Sequence, residues 1–217
     1  MANILSLKRR IQVAINVSKT TRAMQMIAAS KLKRAQDAAL SSRPYVEKLT
    51  EVSMNLTSSV DKENLHDYMK ENDAKISLVI VISPDKGLAG SMTSNISKEI
   101  LSIEEKNIVF VVVGKKAEHF LIKTGRNVIA SFPFGTTLPS FDIVFPIAKI
   151  VDEQFLGKKV SRVRILSSKF QSIFTQKPQI TDLLPVTISS ETRKSENMVF
   201  EPDASFLLPS LLSHFLE

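Results

Sequence analysis

Gly87-Leu88-Ala89-Gly90 stands directly after an apolar run and before a helical pattern, where glycine-rich loops cradle phosphates. The spacing fits neither common form. A dinucleotide fingerprint needs a third glycine, and a phosphate loop needs Lys and then Ser or Thr after its second glycine, whereas Ser91 and Met92 follow Gly90. Gly114-Lys115-Lys116 invites the same reading, but Val109 occupies the position five residues earlier where a glycine is required. Both stretches read as plain strand-to-helix turns, the first made of Asp85, Lys86, Gly87 and Gly90, the second a helix start with solvated lysines.

Asp85, Glu118, Asp142 and Asp182 are the candidates for a carboxylate pair, but nothing in their spacing forces two of them together, and a general acid needs a defined neighbour to move its pKa. His66, His119 and His214 stand in three segments with no H-E-x-x-H spacing, and Ser41-Ser42, Ser58-Ser59 and Ser189-Ser190 lack the G-x-S-x-G elbow of an exposed nucleophile. The chain has no cysteine, so no disulfide framework and no thiolate metal site can be built. The expectation is a chain with no catalytic residue, no metal and no cofactor.

What the sequence does concentrate is charge. From Met1 to Arg43 there is neither Gly nor Pro, and nine Lys or Arg face a single acid, Asp37, in a chain of net charge +7. One N-terminal element therefore carries the whole excess. It reads as a helix from Ile4 that would run roughly 60 Å to Arg43, and helices of that length need a partner along them. Placing Ile4 at heptad position a puts Ile11, Ser18, Gln25 and Leu32 on one row and Ala14, Thr21, Ala28 and Ala35 on the d row, a seam free of charge. Its small and polar middle allows close approach of a second helix. Val13, Ile15, Val17, Met24, Met26 and Ile27 make the other faces apolar as well, so a second surface is expected to enclose the helix.

Ser41 to Pro44 is expected to kink or interrupt the helix, which resumes to about Val60. Residues 61–75 read as a polar connection. Beyond them, Ile76–Ile82 and Ile108–Val113 are continuous apolar runs of buried strands, alternating with helical patterns at 95–103 and 115–123. A helical stretch at 141–155, weakened by Pro146, and strands at 160–167 and 180–188 complete the pattern. The fold class is α/β: a long coiled-coil-type N-terminal helix over residues 1–60, and a Rossmann-like domain with a mainly parallel sheet over 76–190. Residues 191–217 read as a connection and the start of an apolar C-terminal helix. No window is long and apolar enough for a membrane span.

Three readings of the basic helix compete. A nucleic-acid interface wants cations along a phosphate track, and the apolar stretch from Ile11 to Ala29 argues against it. A membrane-surface helix wants one apolar and one basic face, which the middle of this helix lacks. A shaft inside a protein sleeve, charged where it emerges, fits better. A nucleic-acid-binding protein with a basic helix on an α/β core stays the alternative, and a nucleotide-binding enzyme of unusual fingerprint is a third reading.

The run Lys19-Thr20-Thr21-Arg22-Ala23-Met24-Gln25-Met26-Ile27-Ala28-Ala29-Ser30-Lys31, with Ile11 to Ser18 before it and Leu32 after it, resembles the N-terminal helix of the ATP synthase F1 gamma subunit family. Asp85-Lys86-Gly87-Leu88-Ala89-Gly90 with Ser94-Asn95 resembles that family's first strand-to-helix turn, and Phe200-Glu201-Pro202-Asp203 the lead-in to its C-terminal helix. The departures are small: Pro84 stands where serine is common, Ala89 where cysteine is common and Phe200 where tyrosine is common.

The resemblance implies a non-catalytic rotor, the central stalk of an F1Fo ATP synthase. Rotation would couple proton translocation through the membrane ring to ATP synthesis or hydrolysis at the alpha and beta subunits. The implied partners are the alpha/beta hexamer, the epsilon subunit and the membrane c-ring, with no nucleic acid and no direct membrane insertion. The implied location is peripheral, at the cytoplasmic face of a bacterial plasma membrane or the equivalent organelle face. Arg22, Met24, Met26, Lys31, Lys33 and Arg34 become the candidate contacts to the sleeve. Ile11, Ala14, Ser18, Thr21, Gln25, Ala28, Leu32 and Ala35 become the helix-pairing seam. The family continues into a long helix antiparallel to the first, whereas this chain stops at Glu217. The shaft is therefore expected to lack most of its second half, with the seam from Ser18 to Ala35 exposed and prone to fray.

Overall fold

The computed structural model describes residues 3–58, 66–87, 89–105, 107–135, 139, 141–172, 175–186, 201 and 204–216. The expected helix end at Val60, the boundary at 190 and 191, Ser189-Ser190 and most of the Phe200 to Asp203 motif lie outside these residues. The chain divides into two units, Met1–Lys48 and Leu49–Glu217.

The first unit is part of one helix, α1 (Ile4–Ser58). Asn3 caps it, its side-chain Oδ1 accepting from Leu5 N at 3.1 Å. Thr20 and Thr21 turn their hydroxyls back onto the carbonyls of Asn16 and Val17, one turn earlier in the helix. Of the kink or interruption expected at Ser41 to Pro44, the interruption does not occur, since Pro44 lies inside α1. A proline costs one backbone donor, and here the hydroxyls of Ser41 and Ser42 donate to the Ala38 and Ala39 carbonyls in the turn before it.

The second unit is a five-stranded sheet in the order β3-β2-β1-β4-β5, formed by β1 (Ser77–Ile82), β2 (Ile108–Val113), β3 (Asn127–Phe132), β4 (Arg162–Phe170) and β5 (Gln176–Leu184). β1 pairs in parallel with β2 and β4, β2 pairs in parallel with β3, and only β4 and β5 run antiparallel. The continuous apolar runs of β1 and β2 follow from burial on both faces. On one face Val79, Val81, Phe110 and Leu166 pack against α2 (Met92–Ser102) and α3 (Lys115–Lys123). On the other, Leu78, Ile80, Val111 and Val163 meet α4 (Val144–Phe155), α5 (Ala204–Leu216) and Leu56 from the end of α1.

Four elements differ from the sequence expectation, the first being the strand expected at 180–188, which is β5 and begins four residues earlier, at Gln176. β3 was not foreseen; its Asn, Ala and Ser alternate in exposure and carry no long apolar run. The helix expected from Phe141 begins as a single 3-10 turn at Phe141–Ile143, and α4 proper starts at Val144. Pro146 then falls in the first turn of α4, where its missing N–H costs nothing. Within the polar connection, Tyr68 is buried in the core, its hydroxyl donating to Asp152 of α4 at 2.6 Å and its carbonyl accepting from Val186 N. Burial and the bond to Asp152 push the Tyr68 phenol up. One aromatic residue thus ties the segment after α1 to the sheet.

Candidate functional site

α1 presents two kinds of surface. At about 100° per residue, Ile11, Ala14, Ser18, Thr21, Gln25, Ala28, Leu32 and Ala35 fall within one stripe. All are exposed except Ala35, which is half-buried. By the same rotation Arg22, Met26 and Lys33 flank the stripe on one side, Met24 and Lys31 on the other, and Arg34 lies on the back. All six are exposed, Met24 by 64% and Met26 by 63%. The large apolar residues Val13, Ile15, Val17 and Ile27 are exposed too. This helix therefore offers a small-residue seam on one side and methionines with cations around the rest of its circumference. Met suits a surface whose neighbours change, being flexible and polarizable.

In the second unit, the residues with chemistry converge where β1, β2 and β3 end. Asp85 does not meet another carboxylate. It accepts three backbone N–H groups instead, from Lys115 at 2.9 Å, Phe134 at 3.2 Å and Gly135 at 2.8 Å. Two loops and the start of α3 are thereby held by one side chain. Burial alone would raise the Asp85 pKa, but these donors and the Lys115 charge outweigh it and hold the carboxyl below the ordinary aspartate range. Beside it, buried Ser83 accepts from Ala117 N through Oγ at 3.0 Å and donates to the Gly114 carbonyl at 3.1 Å. Lys116 N donates to the Pro84 carbonyl, and Glu118 N to that of Gly114.

The four N–H groups at the start of α3, the Gly114-Lys115-Lys116 turn, are thus taken by the chain itself and leave no donor for a phosphate there. Lys86 and Gly87 lie exposed in the loop before α2, and Gly90 turns it at φ 58°. Glu118 sits in the first turn of α3, Asp142 in the 3-10 turn before α4 and Asp182 on β5, and among the described residues no three His, Asp or Glu side chains gather as a metal site. Sequence reasoning missed Ser83, Tyr68 and the Arg164–Glu105 ion pair at 2.8 Å. For Ser83 the available signal was its position between a buried strand and Pro84; the pairing with Gly114 is visible only in three dimensions.

Asp85 gives a pH-dependent expectation. Its folded pKa lies below the unfolded one, so its stabilisation is complete above about pH 4 and is lost as pH falls through the folded value. Asp85→Ala is expected to cost about 1–2 kcal/mol at pH 7, as loss of a helix cap does, and Asp85→Asn less, since one oxygen remains to accept. Urea midpoints at pH 7 and pH 3 check this. The gap between parent and Asp85→Ala should narrow at pH 3; an equal gap at both would refute the role of the charge.

Among the described residues no helix is long and apolar enough to cross a membrane. A sequence model of the family described as ATP synthase matches residues 3–217. The ATP synthase gamma chain of Dehalococcoides mccartyi is 35% identical over 223 residues, which cover 100% of this chain and 78% of that one. The ATP synthase gamma chain of Baumannia cicadellinicola is 32% identical, with the same two coverages of 100% and 78%. Among solved structures, the central stalk and c-ring of the Tetrahymena thermophila mitochondrial ATP synthase includes a similar chain. Its TM-score is 0.66 at 22% identity, covering 91% of this chain and 87% of that one, a likeness of fold. With the family match running from the first turn of α1 to the end of α5, the chain belongs to the ATP synthase gamma chain family, the non-catalytic central-stalk rotor of the F-type ATP synthase.

Proposed function

We propose that residues 1–60 act as the shaft and that α1 turns inside a hexamer of alpha and beta subunits. Residues 61–75 serve as the connection, and the domain at 76–190 docks the epsilon subunit and the membrane c-ring. The observation that carries this reading is the surface of α1: a charge-free small-residue seam flanked by exposed methionines and ringed by cations. The seam suits close helix pairing, and the remaining circumference suits a sleeve. An asymmetric shaft stabilises different conformations in three otherwise equal catalytic sites, a population shift driven by differential contacts. The chain transmits torque and supplies no reacting group. It sits peripherally, at the cytoplasmic face of a bacterial plasma membrane or its organelle equivalent.

The test is size-exclusion co-elution of the chain with alpha and beta subunits of the same source, with ATPase activity assayed in the eluted peak. A stable complex with stimulated ATPase is the expected result. Separate elution, together with salt-sensitive binding to DNA, would transfer the reading to a nucleic-acid-binding protein.

A further inference from the structure

His66, half-buried, fastens the segment that follows α1. It caps the 3-10 turn Asp67–Met69: its Nδ1 accepts from Tyr68 N at 3.3 Å and its carbonyl from Met69 N at 2.9 Å. The imidazole also lies against the Tyr68 ring, with centroids 4.7 Å apart. The turn seats Tyr68 in the core cluster that contains Leu56 of α1 and Val151 of α4. There its hydroxyl reaches Asp152, and its carbonyl receives Val186 N from just beyond β5.

A neutral imidazole accepts a hydrogen bond at its unprotonated nitrogen, whereas an imidazolium only donates. Protonation of His66 therefore sets a ring N–H against Tyr68 N–H and ends the cap. Among the described residues two charges act on the ring, both from its own segment: Asp67 favours the cation and Lys70 opposes it. They pair with each other at 2.8 Å, and Lys70 holds the Asp67 carboxyl below the usual range, so that it stays ionised in mild acid. From the elements packed against the segment, Asp152 of α4 is engaged by the Tyr68 hydroxyl, and Lys158 beyond α4 acts on Asp67. Burial is the largest influence on His66 and holds its pKa below the ordinary histidine value of about 6.5.

We infer that His66 is a pH-sensitive latch: uncharged, it holds the turn that seats Tyr68, and protonated, it lets that turn open. Histidine is the side chain whose charge changes in the range that cells reach. The folded pKa lies below the unfolded one, so the latch is fully closed above about pH 6.5 and releases as pH falls through the folded value. Release loosens residues 66–70 and the bond from Val186 N to the Tyr68 carbonyl together, while the sheet stays paired. The latch lies wholly within the unit Leu49–Glu217 and works in the isolated chain, whether or not that chain turns as a rotor.

Hydrogen exchange on the full chain at about pH 7.5 and about pH 5.5, corrected for intrinsic exchange at each, tests this. Protection of the amides of 68–70 and of Val186 should fall about fivefold in the acid sample, as loss of one hydrogen bond allows, with β1 and β2 unchanged. His66→Asn keeps a capping oxygen that does not titrate, and should hold the neutral-pH protection in both samples. His66→Ala should lack it in both. Equal protection of the parent in the two samples overturns the latch, and so does an equal fall in His66→Asn. Histidine NMR signals give an independent check: the one missing from His66→Asn must titrate below about 6.5, and titration at or above that value overturns the latch as well.

Discussion

Gly114→Ala is expected to cost about 3–5 kcal/mol, a large part of the roughly 5–15 kcal/mol that holds a domain folded. The reason is where the new methyl must go. An ideal Cβ on Gly114 would lie 1.9 Å from the Ser83 carbonyl oxygen, 2.7 Å from the Ser83 carbonyl carbon and 2.8 Å from its Oγ. Two of these three are backbone atoms, and Ser83 N is committed to the Val113 carbonyl at 2.8 Å, so the ends of β1 and β2 would have to part. Gly114 also sits at φ 107°, beyond the left-handed region that other residues occasionally enter. Parting those strands would disturb the Ser83 bonds to α3 and, through the same loops, the Asp85 clamp.

Gly125→Ala supplies the control. That glycine has φ 68° and nothing within 4 Å of its would-be Cβ, so only backbone strain of about 1–2 kcal/mol is expected. Urea denaturation of both variants, with unchanged slope, separates the contact from the dihedral. Similar losses at the two positions would show that the approach of Ser83 to Gly114 contributes nothing beyond ordinary glycine strain.

The parts of the fold that were legible are those where one local rule decides. β1 and β2 are apolar without interruption because both faces are covered, whereas a strand with one wetted face would alternate. α1 was legible over its first forty residues because nothing in them breaks a helix. The failures come from tertiary context. Pro44 signals an interruption that the helix does not make, β3 is an edge strand whose exposed half looks like loop, and Tyr68 sits in a polar stretch although its ring belongs to the core. The candidate site divides in the same way. Asp85 was noticed as part of a turn, but that its partners are backbone N–H groups contributed thirty and fifty residues away cannot be read from a one-dimensional pattern. The residues of α1 were legible as a surface by spacing alone, whereas what each one touches depends on other chains.

Charge reversal at that surface should have the largest functional effect. Lys31, Lys33 and Arg34 lie on an exposed stretch of α1 in the unit Met1–Lys48, and Lys33 and Arg34 take no part in any ion pair among the described residues. Replacing all three with glutamate removes six units of charge from a segment whose net charge to Arg43 is positive by eight. The helix itself should survive. Carboxylates introduced at positions 33 and 34 would repel Asp37 one turn on, at a cost of only a few tenths of a kcal/mol for each pair.

If these cations face acidic loops of the beta subunits, reversal turns attraction into repulsion at every position of the rotor, and like charges brought together at an interface cost several kcal/mol. Proton-driven ATP synthesis in reconstituted vesicles is then expected to fall about tenfold or more. The neutral set Lys31→Gln, Lys33→Gln and Arg34→Gln should fall between the parent and the glutamate variant, because it loses attraction without adding repulsion. A solvated face predicts something different: synthesis unchanged in both variants while the complex assembles normally. That outcome would reject the electrostatic contact and narrow the proposed sleeve contacts to Arg22, Met24 and Met26. A loss confined to the glutamate variant and relieved by raising salt would instead mark a contact of charges near, but not against, one another, since screening within about 10 Å acts on exposed pairs and spares buried ones.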